Sequence, residues 1–378
     1  MIYFDNAATS FPKPPMVAKA MAGTLNKIGG NPGRAGHRLS LCGGRVIQHC
    51  REMLAEAFGA KTPEQVIFTS GCTEALNIAI RGMLHQGDEV LCSHAEHNAV
   101  MRPLKELEAA GQIRVRVLRP NSLGLVTEEA IEEAVTPKTA LCVLCHASNV
   151  TGVVQPVARL SKVLKQHGIP LLVDAAQTAG VLPVSLDGLG ADLIAMPGHK
   201  GLLGPHGTGM LLLGAGASPE PLMVGGTGSA SESMLQPDLL PDRYESGTLN
   251  LPGIAGLLQG MRFVHQHREE IHEYECWLNQ RFRRRIAGLP GLTLLGHPDA
   301  ECVGITSFVS SEVDAGHIAD GLDASGIAVR GGLHCAPAIH TWLGTLQSGA
   351  VRVSPGIYNT EQDMDDAAAV LQRLVTLK

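Results

Sequence analysis

Short apolar runs alternate with helical patterns across the first two thirds of the chain. The runs are nearly continuous rather than alternately apolar and polar, which is typical of strands covered on both faces. The pattern over residues 157–167 predicts a helix that Gly168 ends. Strands alternating with helices predict a large three-layer α/β domain with a mostly parallel, seven-stranded sheet. The predicted strands are 66–69, 89–93, 114–118, 141–146, 171–174, 193–196 and 209–213.

The last third of the chain has a different pattern. Periodicity disappears over 225–248, which is rich in Gly, Ser, Pro and Asp, and loops of this length are usually functional or disordered. We predict a large domain over 13–250 and a smaller α+β domain made of 1–12 and 251–378. Its predicted elements are a long helix over 253–287, strands at 292–295, 304–309, 328–330 and 351–353, and helices at 315–325 and 361–375.

Composition narrows the class of protein. The 378 residues include 44 glycines, carry a formal net charge of −6 and are 17% charged, which indicates a compact globular enzyme. The only basic run, 281–285, is best interpreted as a solvated helix face, so we expect no nucleic-acid partner. No secretion signal and no apolar stretch of roughly 18 residues is visible, so we expect a cytoplasmic protein without a membrane partner.

Nine cysteines in a chain without a secretion signal favour free thiols over disulfides. Cys142 and Cys145 form a CxxC, which raises the possibility of zinc. They lie in an apolar run that predicts a strand, and residues three apart on a strand face opposite sides. Packing in the core is therefore the favoured interpretation, and we predict no metal site.

A strand, a glycine turn and a helix start are predicted over 66–77. The unpaired N–H groups of a helix N-terminus suit a phosphate. Gly71 would let the backbone approach it closely, and Thr73 would add a hydroxyl. Cys72, between them, is predicted to belong to the same binding site. Such turns are also common as plain structure, so this signal is weak alone. The chain lacks the P-loop and dinucleotide fingerprints, which disfavours nucleotides and a nicotinamide dehydrogenase.

Two further polar residues follow predicted strands. Asp174 ends an apolar run at the edge where open α/β sheets bind ligands; a helix N-cap is the equally weighted alternative. Lys200 follows another run in a Gly-rich setting, where desolvation would lower its pKa and make it a nucleophilic amine. A phosphate turn, an acid and a lysine in this order are what pyridoxal-5′-phosphate (PLP) requires.

With these residues in view, the chain resembles the class V, fold-type I PLP-dependent aminotransferases over essentially its full length. The resemblance is strongest to the cysteine desulfurase and selenocysteine lyase branch. The matching segments are Asp5-Asn-Ala-Ala8, Thr69-Ser-Gly-Cys-Thr-Glu-Ala-Leu-Asn77, Ala95-Glu-His-Asn98, Ser148-Asn-Val-Thr-Gly152, Asp174-Ala-Ala-Gln177 and Gly198-His-Lys200.

The resemblance implies a role for each matching residue. His97 would stack on the cofactor ring with Asn149 beside it, and Asp174 would pair with the pyridine nitrogen. Gln177 would reach the phenolic oxygen, and Lys200 would form the Schiff base and move the proton. Thr73 and His199 would contact the phosphate. The family is also homodimeric, and Arg34 and Thr248 match segments that reach the partner's site.

Residues 330–337 carry the reaction type. Cys335 lies beyond a predicted strand, with His334 beside it and Arg330 five residues before it, and nearby cations lower the pKa of a thiol. The segment resembles the catalytic-cysteine motif of desulfurases. Arg352, in the segment that matches the family's substrate site, would hold a carboxylate through two parallel hydrogen bonds. The resemblance implies L-cysteine or L-selenocysteine as substrate, alanine as product, a persulfide on Cys335 and a sulfur-acceptor protein.

Three positions depart from the family's usual residues. Pro197 replaces a Ser or Thr, Leu333 replaces a histidine of many desulfurases, and Asn98 replaces a histidine after His97. They leave open whether sulfur or selenium is preferred. The alternatives are another class V reaction, such as transamination or β-elimination, in which Cys335 would be dispensable, and a PLP-binding regulatory or sulfur-delivery protein.

Overall fold

The computed structural model describes residues 1–32 and 36–376. Its centre is a seven-stranded sheet in the order β2-β8-β7-β6-β5-β3-β4. Every neighbouring pair is parallel except the two that involve β8. The strands are β2 (Val66–Thr69), β3 (Glu89–Ser93), β4 (Arg114–Leu118), β5 (Thr139–Cys145), β6 (Leu171–Asp174), β7 (Leu193–Pro197) and β8 (Gly209–Leu213). The mostly parallel, seven-stranded sheet is therefore confirmed.

Helices cover both faces of this sheet, and each strand except the partly exposed edge strand β4 divides its side chains between two apolar cores. In β8, Met210 and Leu212 enter one core, while Leu211 and Leu213 enter the other. This two-sided burial explains the unbroken apolar runs in the sequence. The surrounding helices are α1 (Pro15–Lys27), α2 (Arg38–Phe58), α3 (Cys72–Met83), α4 (Asn98–Ala109), α5 (Glu128–Ala134), α6 (Val157–Gln166) and α7 (Leu186–Leu189).

The last third forms a second, smaller sheet in the order β12-β13-β10-β9, antiparallel throughout. The N-terminal strand forms a separate two-stranded parallel sheet with a strand of this last third, in which Ile2 lies opposite Ile327. The elements are β1 (Ile2–Tyr3), α8 (Leu251–Ile286), β9 (Leu292–Leu294), β10 (Thr306–Ser310), α9 (Ala315–Ala324), β11 (Ile327–Ala328), β12 (Arg330–Gly332), α10 (Pro337–Leu343), β13 (Ala350–Val353) and α11 (Glu361–Thr376).

Helix α8 belongs to both parts of the molecule. Its beginning, from Leu251 to Met261, packs in a core of the large sheet, while Leu278 and Phe282 pack in the core of the small sheet. The division at residue 250 thus falls at the start of a helix that contributes to both cores, and the domain boundaries stay a prediction.

The structure changes one predicted strand and locates the two cysteines of the CxxC. Residues 328–330, predicted as one strand, belong to two: β11 pairs with β1 and β12 pairs with β13. Cys142 and Cys145 both lie in β5 and pack in different apolar clusters, as their spacing requires. Within residues 1–32 and 36–376, no helix is both long and apolar enough to cross a membrane.

Candidate active site

A cavity of about 260 Å³ lies where the carboxyl ends of the large-sheet strands meet the small sheet. It gathers residues that the sequence predicted from seven separate segments. Thr248 is absent from its lining, and Arg34 lies outside the described residues. The predicted residues that line the cavity are Gly71, Cys72, Thr73, His97, Asn149, Asp174, Gln177, His199, Lys200, Arg330, Cys335 and Arg352.

One end of the cavity is formed by the turn from β2 into α3. Gly71 is the extended N-cap of α3, so the first N–H groups of the helix belong to Cys72 and Thr73. The neighbouring strand comes very close: a Cβ on Gly209 would lie 2.5 Å from the Cα of Gly71. The close approach therefore requires glycine at position 209, which the sequence analysis did not predict. The sequence feature that could have indicated it is a glycine in the strand opposite the turn.

His199 supplies a further group at this end. Its ring Nδ1 is buried without a partner among the described residues. Burial lowers the pKa of the imidazole to about 4, helped by the nearby charges of Lys200, His206 and Lys13, so the ring is neutral at pH 7. Such a neutral ring, next to a helix N-terminus, fits a phosphate group.

Lys13 is a contributor that the sequence interpretation missed. Its Nζ donates to the carbonyl oxygen of His199 and to Oγ of Ser10, both at 2.6 Å. Burial lowers the pKa of this amine to about 8. The bonds fasten the N-terminal segment to the loop that carries Lys200. No local motif marks this role, because the partner is 186 residues away.

Asp174 ends β6 and is buried. Its Oδ1 accepts a hydrogen bond from the Ala176 N–H at 2.9 Å and lies 3.6 Å from Sγ of Cys72. A turn follows rather than a helix, so the N-cap alternative is wrong. A buried carboxylate at a strand end can pair with a protonated ring nitrogen.

His97 and Gln177 border the same space. His97 is the N-cap of α4, where its Nδ1 accepts the Ala99 N–H at 3.0 Å. Burial lowers the pKa of this imidazole, against the attraction of Asp174. The Nε2 of Gln177 donates to the carbonyl of Ala7 at 3.1 Å. A neutral aromatic ring and a primary amide thus border the cavity beside Asp174.

Lys200 follows β7 through Gly198 and His199, at the edge where Asp174 also lies. Burial lowers the pKa of its amine, while the Asp174 carboxylate works in the opposite direction. A lysine amine that loses its proton more readily becomes nucleophilic and can also accept a proton.

Behind His97 lies Glu96, a carboxyl that is fully buried and does not line the cavity. Its Oε1 accepts hydrogen bonds from the Ser93 hydroxyl at 2.6 Å and the Cys145 N–H at 2.7 Å. Its Oε2 has no partner in the described part of the chain. Burial raises the pKa of Glu96 to about 8, so this group is mainly neutral at pH 7.

Cys335 lies three residues after β12, where the backbone has a conformation that few residues adopt. His334 and Cys335 both have positive φ, at 50° and 57°, a conformation that costs free energy unless its surroundings hold it. Two hydrogen bonds hold the loop in this conformation. The His334 carbonyl accepts from Nδ2 of Asn149, and the Cys335 carbonyl accepts from the Asn98 N–H, both at 2.7 Å. Asn98 therefore serves this loop through its backbone.

The surroundings of Cys335 change one expectation from the sequence, namely that the adjacent His334 is a cation that lowers the pKa of the thiol. It is the one exposed cysteine of nine, all of which lie in the described residues. His334 is buried, and both its ring nitrogens lack partners within the described structure. Burial lowers the pKa of His334 to about 3, so it is not a cation at neutral pH. The basic side chains that line the cavity together with the thiol are Lys200, Arg330 and Arg352.

Arg352 is the most buried cation of the site, with 2% of its side chain exposed. It donates from Nη2 to Oδ1 of Asp5 at 2.7 Å and from Nη1 to the Asn149 carbonyl at 3.0 Å. Arg330 approaches the other Asp5 oxygen at 4.0 Å. The Nε of Arg352 has no partner among the described residues, so a donor remains for an incoming carboxylate. Asp5, which orients both guanidinium groups, was predicted only as part of a matching segment.

The fold and the residues together define the class of protein. A helix N-terminus, a strand-end carboxylate, an aromatic ring and a desolvated lysine surround one cavity, and they fit the phosphate, pyridine nitrogen, ring face and aldehyde of PLP. The protein is a fold-type I PLP-dependent enzyme.

Comparison with known proteins agrees with this class. The aminotransferase class-V family profile matches residues 2–366. The chain is 33% identical to a probable cysteine desulfurase of Methanothermobacter thermautotrophicus, over 99% of this chain and 94% of that protein. This chain belongs to the aminotransferase class-V family.

Solved structures give the same result. An apo cysteine desulfurase from Thermococcus onnurineus superposes with a TM-score of 0.92 at 30% identity. The Escherichia coli cysteine desulfurase CsdA, in an S-sulfonic acid form, gives a TM-score of 0.89 at 27% identity. In each case the match covers 99% of this chain and 94% of the other.

Proposed function

We propose that this chain is a PLP-dependent cysteine desulfurase that moves the sulfur of L-cysteine onto Cys335 and releases L-alanine. The observation that carries the proposal is the exposed thiol of Cys335 in the same cavity as Lys200 and Arg352. Relatives named cysteine desulfurase, at 33% and 30% identity over the full length of the chain, support it.

We assign the cofactor contacts from the geometry described above. Gly71, Cys72, Thr73 and His199 would hold the phosphate, and Asp174 would hold the pyridine nitrogen. His97 would cover the ring, with Gln177 and Asn149 at its edge. Bound PLP would supply an electron-withdrawing ring beside the α-carbon of the substrate.

The remaining side chains would bind the substrate, move its proton and accept its sulfur. Arg352, with Arg330 near it, would bind the substrate carboxylate through the free Nε–H. Lys200, as a neutral amine, would take the proton from the α-carbon. The Cys335 thiolate would attack the substrate sulfur, so that an S–S bond forms, the C–S bond breaks and its electron pair stays on carbon. A proton delivered to that carbon completes alanine.

We further propose a homodimer in which Thr248 reaches the partner's cavity. Support comes from the segment 225–248, which contains neither helix nor strand and carries exposed apolar side chains such as Met234 and Leu235. An exposed Cys335 suits delivery of the persulfide sulfur to an acceptor protein. All nine cysteines of the described chain are free, which fits a cytoplasmic location.

The test measures alanine and sulfide together from purified protein, L-cysteine and a reductant, with L-selenocysteine in parallel. We expect equal amounts of alanine and sulfide, and Cys335→Ala should lose both while keeping the absorbance of bound PLP. Cofactor binding without either product would contradict the proposal and would favour amino transfer, which a panel of keto acids would reveal.

A further inference from the structure

A second cavity, of about 300 Å³, lies beside α10, the helix that follows the Cys335 loop. It is bounded by α10, by β9 with the loop after it, and by segments 122–124 and 148–155. Ala95 borders both cavities, while none of the residues assigned to the cofactor borders this one. Its size is at the lower end of small-molecule sites.

The cavity contains a polar group that the fold leaves unused. His94 lines it, is 4% exposed, and has no hydrogen-bond partner for either ring nitrogen within the described structure. Burial lowers the pKa of His94 to about 4, so the ring is neutral and offers one donor and one acceptor. An imidazole buried without partners is costly, and a ligand with complementary groups would remove that cost.

Trp342 of α10 covers this imidazole. The two rings meet edge to face, with 5.2 Å between their centroids. The far end of the indole reaches Gly124, where a Cβ would lie 3.5 Å from Cη2 of Trp342. Trp342 is 41% exposed, so its ring has room to turn outward. Such a turn would uncover the nitrogens of His94 and leave an aromatic face for stacking.

The lining also limits the charge of any ligand. No Asp, Glu, Lys or Arg side chain borders the cavity among the described residues. Its polar groups are hydroxyls, an amide and imidazoles, for example Ser148, Thr151 and Gln155, beside apolar walls such as Ile339 and Leu343. A charged ligand would lose its hydration without gaining a counter-ion, whereas an uncharged one would not.

We propose that this cavity binds a small, uncharged heteroaromatic molecule that stacks on Trp342 and hydrogen-bonds to His94. Such a ligand would contact α10, which begins two residues after Cys335. The proposal does not rest on the desulfurase reaction, because binding is measured without amino-acid substrate.

The chain has two tryptophans, Trp277 and Trp342, so Trp277→Phe makes Trp342 the single reporter. PLP-loaded Trp277→Phe protein would be titrated at pH 8 with benzimidazole, and Trp342 emission would be followed. We expect a saturable change in emission, and benzoate, which has a ring of similar kind and a negative charge, should give none. A flat response to benzimidazole up to its solubility, or an equal response to benzoate, would overturn the proposal.

Two variants in the Trp277→Phe background locate the site. His94→Phe keeps a ring beneath Trp342 and removes its nitrogens, and we expect at least about a tenfold weaker affinity for benzimidazole. Thr293→Phe, an exposed lining position on β9, should fill the cavity and weaken binding similarly. Gln362→Phe adds the same ring to the exposed face of α11 and should change nothing. Unchanged affinity in both lining variants, with intact folding by circular dichroism, would contradict the proposal.

Discussion

Cys335 and Cys72 are two of the three thiols that line the cavity, with Cys145 the third, and they differ in the properties that decide reactivity. Cys335 is exposed at the tip of a loop with positive φ, whereas Cys72 lies in the first turn of α3 against the Asp174 carboxylate. Burial, and then the charge of Asp174, raise the pKa of the Cys72 thiol well above its usual value. A thiol needs access and an ionised sulfur to act as a nucleophile. The comparison favours Cys335 over Cys72 as the nucleophile, because the two thiols differ in exposure and in the charge beside them.

Removal of the exposed thiol should have the largest effect. We expect Cys335→Ala to lower sulfide release from L-cysteine by at least about 10³-fold, because the sulfur acceptor is gone. The measurement is the initial rate of sulfide formation under reductant. Cys302→Ala, which removes a half-buried thiol elsewhere in the sequence, is the matched control. Its rate of sulfide formation should stay within about twofold of wild type. Sulfide release that survives in Cys335→Ala would contradict the assignment.

Alkylation compares the two thiols in one sample. We expect iodoacetamide to modify Cys335 at least about 10²-fold faster than Cys72, because burial and the Asp174 carboxylate disfavour the Cys72 thiolate. Peptide mass spectrometry of time points from native protein gives both rates. Similar rates would show that the enclosure of Cys72 does not protect it.

Glu96 extends the comparison from thiols to a buried carboxyl. Its pKa is raised from 4.5 to about 8 in the folded protein. The stability gained from its protonation is therefore complete below pH 4.5 and is lost as the pH rises through 8. Relative to Glu96→Gln, the free energy of unfolding of wild type should fall by about 1.4 kcal/mol for each pH unit in this window.

Urea unfolding of both proteins at pH 5, 6, 7 and 8 measures the slope for Glu96. Plotted against pH, the free energies of unfolding of the two proteins should diverge as the pH rises from 5 to 8. Parallel curves between pH 5 and 8 would mean that Glu96 ionises normally.

Cys72 itself should have the smallest effect. Its S–H group can donate to the Asp174 carboxylate, and loss of such a bond costs about 1 kcal/mol. We expect Cys72→Ala to raise the dissociation constant of PLP from apo protein about fivefold and to leave sulfur transfer to Cys335 in place. Cys72→Ser, which keeps a donor, should restore the affinity. An affinity for PLP that is equal in all three proteins would remove this role.

The sequence predicted the strands of the large sheet well, because two-sided burial leaves unbroken apolar runs. It did not predict α2, whose interior contains Gly43 and Gly44, residues that weaken a helical pattern. It merged β11 and β12 because the change of partner depends on β1, at the far end of the chain.

The site residues differ in the same way. Some could be predicted from the sequence around them, and others depend on contacts with distant parts of the chain. Gly71, Asp174 and Lys200 follow predicted strands, and their order along the chain indicated the cofactor. The roles of Asp5 and Lys13 depend on partners far away in the sequence. The low pKa of His334 comes first from burial, which sequence adjacency to Cys335 does not reveal.

We propose that Cys335, and not another thiol, receives the sulfur. The most direct test treats PLP-loaded protein with one equivalent of L-cysteine without reductant and measures the intact mass, followed by peptide mapping. We expect a gain of one sulfur atom on the peptide that contains Cys335, together with one equivalent of alanine. Alanine formed with the added sulfur on Cys72 or any other cysteine, or with none on the protein, would contradict it.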